Sequence, residues 1–102
     1  MKCLYVPCKD LIEAENISLD LLKKKLVICV NIFPRIRSLY LWKNKIEKSS
    51  EAILIAKTKN NLADKAADEI KHIHSYNTPE VLILSAEIKS KDIKDWVDEE
   101  LG

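Results

Sequence analysis

Two apolar runs rich in β-branched residues, joined through one tight turn, constrain the fold of this chain more than any other feature. Val27-Ile28-Cys29-Val30-Asn31-Ile32 and Ala52-Ile53-Leu54-Ile55-Ala56 have the composition of strands covered on both faces, so both are expected to lie centrally in a sheet. Between them Arg35 to Trp42 alternates with period two, placing Arg35, Arg37, Leu39 and Leu41 on one face and Ile36, Ser38, Tyr40 and Trp42 on the other. Residues 26–59 therefore read as two long strands meeting over Trp42-Lys43-Asn44-Lys45. Asn44 tolerates the positive φ of a two-residue hairpin turn. Pro34 cannot donate to a ladder and marks a bend or bulge.

The flanking segments supply the rest of a small α+β unit. Residues 2–8 form a first strand, and Asp10 caps a helix with Glu13 three residues on, a capping-box pattern. That helix is expected to run to about Lys25, with Ala14, Ile17, Ser18, Leu21 and Leu22 as its buried stripe and Lys23-Lys24-Lys25 as a solvated end complementing the dipole. After the hairpin, Asn60 or Asn61 can cap a second helix whose Leu62, Ala66, Ile70 and Ile73 repeat at helical spacing and which ends near Ser75. Pro79 stops it, Val81 to Ile88 reads as a fourth strand, and Ser90 caps a last helix with Ile93, Trp96, Val97 and Leu101 on its apolar face.

The order strand, helix, strand, strand, helix, strand, helix gives a two-layer ferredoxin-like split β-α-β sandwich (β-α-β-β-α-β) with an added C-terminal helix and a long central β-hairpin. At 102 residues, 47% of them apolar, the chain is expected to make one domain spanning 1–102. Its second and third strands are too long for the first and fourth to cover. The overhang bearing Tyr40, Leu41, Trp42 and Ile46 has open edges unless another chain pairs with it, so self-association is expected.

Charge and cysteine usage narrow the function classes. Seventeen basic residues against sixteen acidic ones leave a formal charge of +1, so no global field recruits nucleic acid or an anionic membrane. No apolar run approaches the roughly 20 residues that span a bilayer, and Met1-Lys2-Cys3-Leu4-Tyr5-Val6 lacks a signal-peptide layout, so a cytoplasmic location is expected. The 32% charged content with a single glycine is compatible with a heat-stable protein. Cys3, Cys8 and Cys29 form no CxxC pair and are expected to stay reduced, Cys3 and Cys29 as small buried hydrophobes.

Few residues carry chemistry. A chain whose one glycine is Gly102 cannot build a Gly-rich phosphate loop, and no serine sits in a nucleophile-elbow pattern, so no enzyme activity is expected and no cofactor is required. His72 and His74 stand two residues apart and point to different sides of a helix, which rules out an i, i+4 chelating pair. His74 lies near Cys8 if the second helix's end meets the first strand's exit. Thiolate with imidazole suits copper or zinc, whereas a helix-terminal histidine otherwise bonds nearby carbonyls. Glu47, Glu51 and Lys57 share one face of a strand by parity, so Lys57 beside Glu51 is either an ion pair fixing an interface or a small-anion site. Tyr40 and Trp42 read as packing anchors of an oligomer interface rather than base-stacking groups.

In several separated segments the chain resembles the CutA divalent-cation tolerance family over nearly its whole length. The matching segments are Cys29-Val30-Asn31-Ile32, Ser38-Leu39-Tyr40-Leu41-Trp42 with Lys45-Ile46-Glu47, Glu51, Lys57-Thr58, His74-Ser75-Tyr76-Asn77-Thr78-Pro79-Glu80, and Trp96. The resemblance implies a ferredoxin-like fold assembled as a tight homotrimer like the PII signal proteins, a role in divalent-metal homeostasis, and no enzymatic activity. It also implies copper or another divalent ion held through Cys8 and His74, with Ile73 where the family pattern has a first histidine and Ser75 where it has a proline. A second reading is a PII-like regulatory or scaffolding trimer that takes a small anion or a protein partner in clefts near Glu51, Lys57 and Tyr76.

Overall fold

The computed structural model describes residues 1–102, and its elements begin with a strand β1 (Lys2–Cys8) and a helix α1 (Leu11–Lys23). Asp10 caps α1 as expected, its Oδ1 accepting the Glu13 amide at 2.9 Å. The helix closes two residues earlier than expected. Lys25 adopts φ 55°, its amide donates to the Leu22 carbonyl, and the Leu26 amide donates to the Leu21 carbonyl. This is a Schellman closure with lysine at the position where glycine is usual. Ala14, Ile17, Ser18 and Leu21 are buried, but Leu22 is exposed, because the helix turns it past the edge of the sheet-facing stripe.

The hairpin consists of β2 (Cys29–Trp42) and β3 (Lys45–Thr58). Lys43 and Asn44 both take positive φ, 50° and 63°, the signature of a type I′ turn whose twist matches that of the strands. The register slips between Phe33 and Ile36, so Pro34 sits in a bulge, where its missing donor breaks no ladder. β3 pairs with β1 from Ala52 to Thr58. From Glu51 to Lys45 it pairs with β2 alone.

A 3₁₀ turn (Asn60–Leu62) leads into α2 (Ala63–Ile73). Neither asparagine caps this helix by a side chain. Its N-cap is Leu62, which makes no such bond, and the 3₁₀ turn tightens the entry instead. Ala63, Ala66, Ala67 and Ile70 are buried, whereas Ile73 is exposed at the helix end. The fourth strand, β4, is only Leu82–Ser85, half the expected run, and pairs with β1 alone. Helix α3 (Lys91–Leu101) follows, capped by Ser90. It buries Val97 and leaves Ile93 and Trp96 exposed.

The sheet order is β2-β3-β1-β4, every neighbouring pair antiparallel. β1 therefore runs parallel to β2 and β3 to β4, each helical crossover skipping one strand, which is the ferredoxin-like arrangement. One core holds Leu4, Val6 and Cys8 of β1 with Leu54 and Ala56 of β3 against α1 and α2. Alanines at 52, 56, 63, 66 and 67 let the backbones approach closely.

The order corrects one expectation. β3 is central, but β2 is an edge strand, with Asn31 exposed and Phe33 54% exposed. Its apolar composition alone does not place it in the middle of the sheet.

Candidate functional site

The residues singled out from the sequence converge where β1 ends. Cys8 is the last residue of β1 and wholly buried. His74 is the C-cap of α2. They meet because α2 packs on the helix-covered face and its last turn lands over the exit of β1. Glu13, from the first turn of α1, completes the group: the ligand-capable atoms of Cys8, Glu13 and His74 all lie within 4.8 Å of one another.

Every one of these atoms already has a partner. His74 Nε2 lies 2.8 Å from the Pro7 carbonyl oxygen, and the Tyr76 amide donates to Nδ1 at 3.1 Å. A carbonyl only accepts and an amide N–H only donates. The ring is therefore the neutral Nε2–H tautomer with its one lone pair spent on Tyr76. Glu13 Oε1 accepts the Lys9 amide at 3.0 Å and Oε2 accepts the Ser75 amide at 2.9 Å. Oε1 stands 3.9 Å from His74 Nδ1, outside hydrogen-bond reach. The Cys8 thiol points at the Val6 carbonyl, 3.7 Å away.

The electrostatics follow from this packing. Burial, reinforced by the charges of Glu13, Glu51 and Asp10, pushes the Cys8 thiol up to about 12, so it is a thiol and not a thiolate at neutral pH. Burial works to raise the Glu13 carboxyl, but its hydrogen bonds from Ser75 and Lys9 outweigh that and hold it below the usual carboxylate range.

Tyr76 extends the group to the hairpin. Its ring lies 4.7 Å from the His74 ring, tilted by 50°, and its hydroxyl donates to Glu51 Oε2 at 2.7 Å. Burial first, then the Glu51 hydrogen bond and charge, raises the Tyr76 hydroxyl well above its ordinary value.

The donor set therefore has the right elements for a borderline-soft cation but not the free valence. A cation there requires a deprotonated thiol and an open imidazole lone pair, and the chain as folded offers neither. The residues do not fit a resident metal.

The other candidates sort as follows. Glu51 engages Tyr76 and forms no ion pair with Lys57, which has no carboxylate partner in the chain. Lys57 pairs with Cys3 on one side and Cys29 on the other. Those two cysteines are half-buried rather than core residues, and Cys8 is the buried one. Tyr40 and Trp42 are 46% and 60% exposed on the overhang. His72 is exposed and takes no part in the cluster.

Sequence reasoning missed Glu13 as a member of this group. The capping-box spacing was its signal, but its carboxylate reaches the Lys9 and Ser75 amides rather than that of Asp10.

A ferredoxin-like sandwich with an overlong central hairpin and a buried Cys-Glu-His cluster at the end of its first strand defines the structural class. The family model described as CutA1 divalent ion tolerance protein matches residues 2–100, and the chain belongs to that family. It is 43% identical over 96 residues to the divalent-cation tolerance protein CutA of Archaeoglobus fulgidus, covering 94% of this chain and 93% of that protein. It is 34% identical to human protein CutA over 91% of its own length and spans about half of that longer protein, 52%. The solved structure of periplasmic divalent cation tolerance protein CutA from Archaeoglobus fulgidus superposes with a TM-score of 0.93 at 40% identity, covering all of both chains.

This last comparison corrects the cytoplasmic expectation. A relative of the same fold, matched over its whole length, is periplasmic, so the lack of a spanning apolar run and of a signal-peptide layout in Met1 to Val6 does not specify a compartment.

Proposed function

We propose that the chain serves divalent-cation tolerance as a homotrimer joined through the open sheet face and the overhanging hairpin, with Tyr40 and Trp42 as anchors. The observation that carries this reading is the hairpin beyond Ile36 and Glu51. It pairs only with itself, yet Leu39, Leu41, Trp42 and Ile46 are 61%, 76%, 60% and 71% exposed. Leu39, Leu41 and Ile46 lie on one face and Trp42 on the other, and apolar side chains exposed on both faces of a two-stranded ribbon mark an association surface. The outer edges of β2 and β4 carry unpaired backbone groups that a neighbour can satisfy. Copper held by Cys8 and His74 is not part of this reading, because their donor atoms are already committed.

Sedimentation and light scattering test it. The mass expected is about three times 11.7 kDa, and Trp42→Glu lowers it toward one chain, since losing a central aromatic anchor costs an interface about 2 kcal/mol or more. A monomeric wild type, or a Trp42→Glu variant of unchanged mass, overturns it.

A second reading, a PII-like regulatory or scaffolding trimer, is favoured by one observation, the half-buried Lys57 without a carboxylate partner. A small anion at Lys57 is then expected. Calorimetric titration with inorganic phosphate, with Lys57→Gln as control, distinguishes the two: saturable heat lost in the variant supports the anion site, and no heat removes it.

A further inference from the structure

The group at the end of β1 has two ends, and only one of them faces the core. At one end, Glu13 holds the Ser75 amide at 2.9 Å and the Lys9 amide at 3.0 Å, fixing the start of the 75–81 loop to the N-terminus of α1. His74, its ring set by the Pro7 carbonyl, accepts the Tyr76 amide. At the other end the Tyr76 hydroxyl grips Glu51.

The position of Glu51 gives this grip its leverage. It is the first β3 residue beyond the span covered by β1, which ends at the Cys8↔Ala52 pair. Its partner across the ladder, Ile36, is the first residue after the Pro34 bulge. Glu51 thus stands at the fulcrum where a four-stranded sheet becomes a two-stranded ribbon. A bulge bends and twists a strand locally, so the ribbon needs something besides its own ladder to fix its direction.

We infer that Cys8, Glu13 and His74 are not cation ligands but a lock that holds Tyr76 against Glu51 and thereby sets the angle of the β2–β3 overhang. The lock works through contacts already made. Glu13 and His74 each take a backbone amide of the Ser75-Tyr76 segment, leaving Tyr76 neither amide nor ring free to swing. The hydroxyl then arrives at Glu51 preorganised, and the carboxylate it meets is the one side chain of β3 at the bend that another segment of the chain holds. Cys8, wholly buried and within 4.8 Å of the Glu13 and His74 side-chain atoms, packs against both. The inference deepens the trimer reading by naming what presents the association surface, but the lock itself exists within one chain.

Two measurements test it on the full chain. The first is amide hydrogen exchange on wild type, Tyr76→Phe and Glu51→Met, the phenylalanine retaining the ring packing and the methionine removing the acceptor at similar volume. Loss of one hydrogen bond of about 1 kcal/mol corresponds to roughly fivefold faster opening. That acceleration is expected for the amides of residues 37–47, with the amides of Leu4, Val6 and Leu54 unchanged. Equal exchange of the hairpin in all three proteins overturns the inference, as does uniform acceleration throughout the sheet. The second adds copper(II) to a Cys3→Ser/Cys29→Ser protein and follows thiolate-to-copper charge-transfer absorption. No band is expected while the protein is folded. A band in the folded protein assigns Cys8 as a ligand and overturns the lock. A wild type that sediments as a monomer defeats the trimer reading, whereas the exchange comparison still decides the lock.

Discussion

Glu13 and Ser75 are 62 residues apart in sequence, and the carboxylate of one accepts the backbone amide of the other at 2.9 Å. That bond ties the first turn of α1 to the segment leaving α2. It is charge-assisted and partly buried, a kind of bond stronger than a neutral one.

Glu13→Gln is therefore expected to destabilise the protein at neutral pH by about 1–3 kcal/mol, because an amide side chain satisfies only one of the two backbone donors. Since the folded carboxyl lies below its ordinary value of 4.5, its contribution is complete above that value and fades as pH falls through the lower folded value. Urea denaturation of wild type and variant should show a gap that is full at pH 7 and narrows with acidification below about 4.5. A gap independent of pH would remove the carboxylate from the explanation.

Cys8 offers a chemical reading of the same region. A thiol pushed up to about 12 and wholly buried reacts with alkylating agents only after unfolding. Iodoacetamide at pH 8 followed by peptide mapping should leave Cys8 unmodified in the native protein and modify it fully in denaturant. Native modification at Cys8 would contradict both its burial and its protonation.

Two lysines sit in backbone conformations that side chains disfavour, Lys25 at φ 55° and Lys43 at φ 50°. The left-handed region costs a non-glycine residue roughly 1–2 kcal/mol, and asparagine less than most. Lys25→Gly and Lys43→Asn are each expected to raise the urea midpoint by an equivalent of about 0.5–1 kcal/mol with the slope unchanged. Lys25→Val should move it the other way.

Leu54 is fully buried between Val6 on β1 and Ile32 on β2. Truncation to alanine should cost about 2–5 kcal/mol, the usual range for a core leucine. A loss below 1 kcal/mol by denaturant titration would mean that the core there collapses around the gap.

What the sequence made legible was local. Asp10 as a cap, the turn at Lys43-Asn44 and the bulge at Pro34 each follow from the chemistry of one or two residues. The topology followed from element order, and the overhang from strand lengths. What it hid depended on distant partners: nothing around Glu13 signals that Ser75 will need its carboxylate, and nothing around Tyr76 signals Glu51. The apolar run of β2 misled for a related reason, since a residue pattern does not say where in the sheet its strand will lie. Val81 to Ile88 looked like a longer strand because its composition continues past the last residue that β1 can pair, Ser85 opposite Lys2.

The hairpin also has a place in time. Its ladder closes from Trp42↔Lys45 outward to Cys29↔Lys57, each step extending a loop already shut, so its entropy is spent in small increments. The rest of the sheet cannot finish that way, because β1 must wait for Ser85 to join Lys2. During synthesis the ribbon with its apolar side chains is complete before the last strand has been made. The overhang carrying Leu39, Leu41, Trp42 and Ile46 is thus the part of the sheet whose strand and partner strand are both made first.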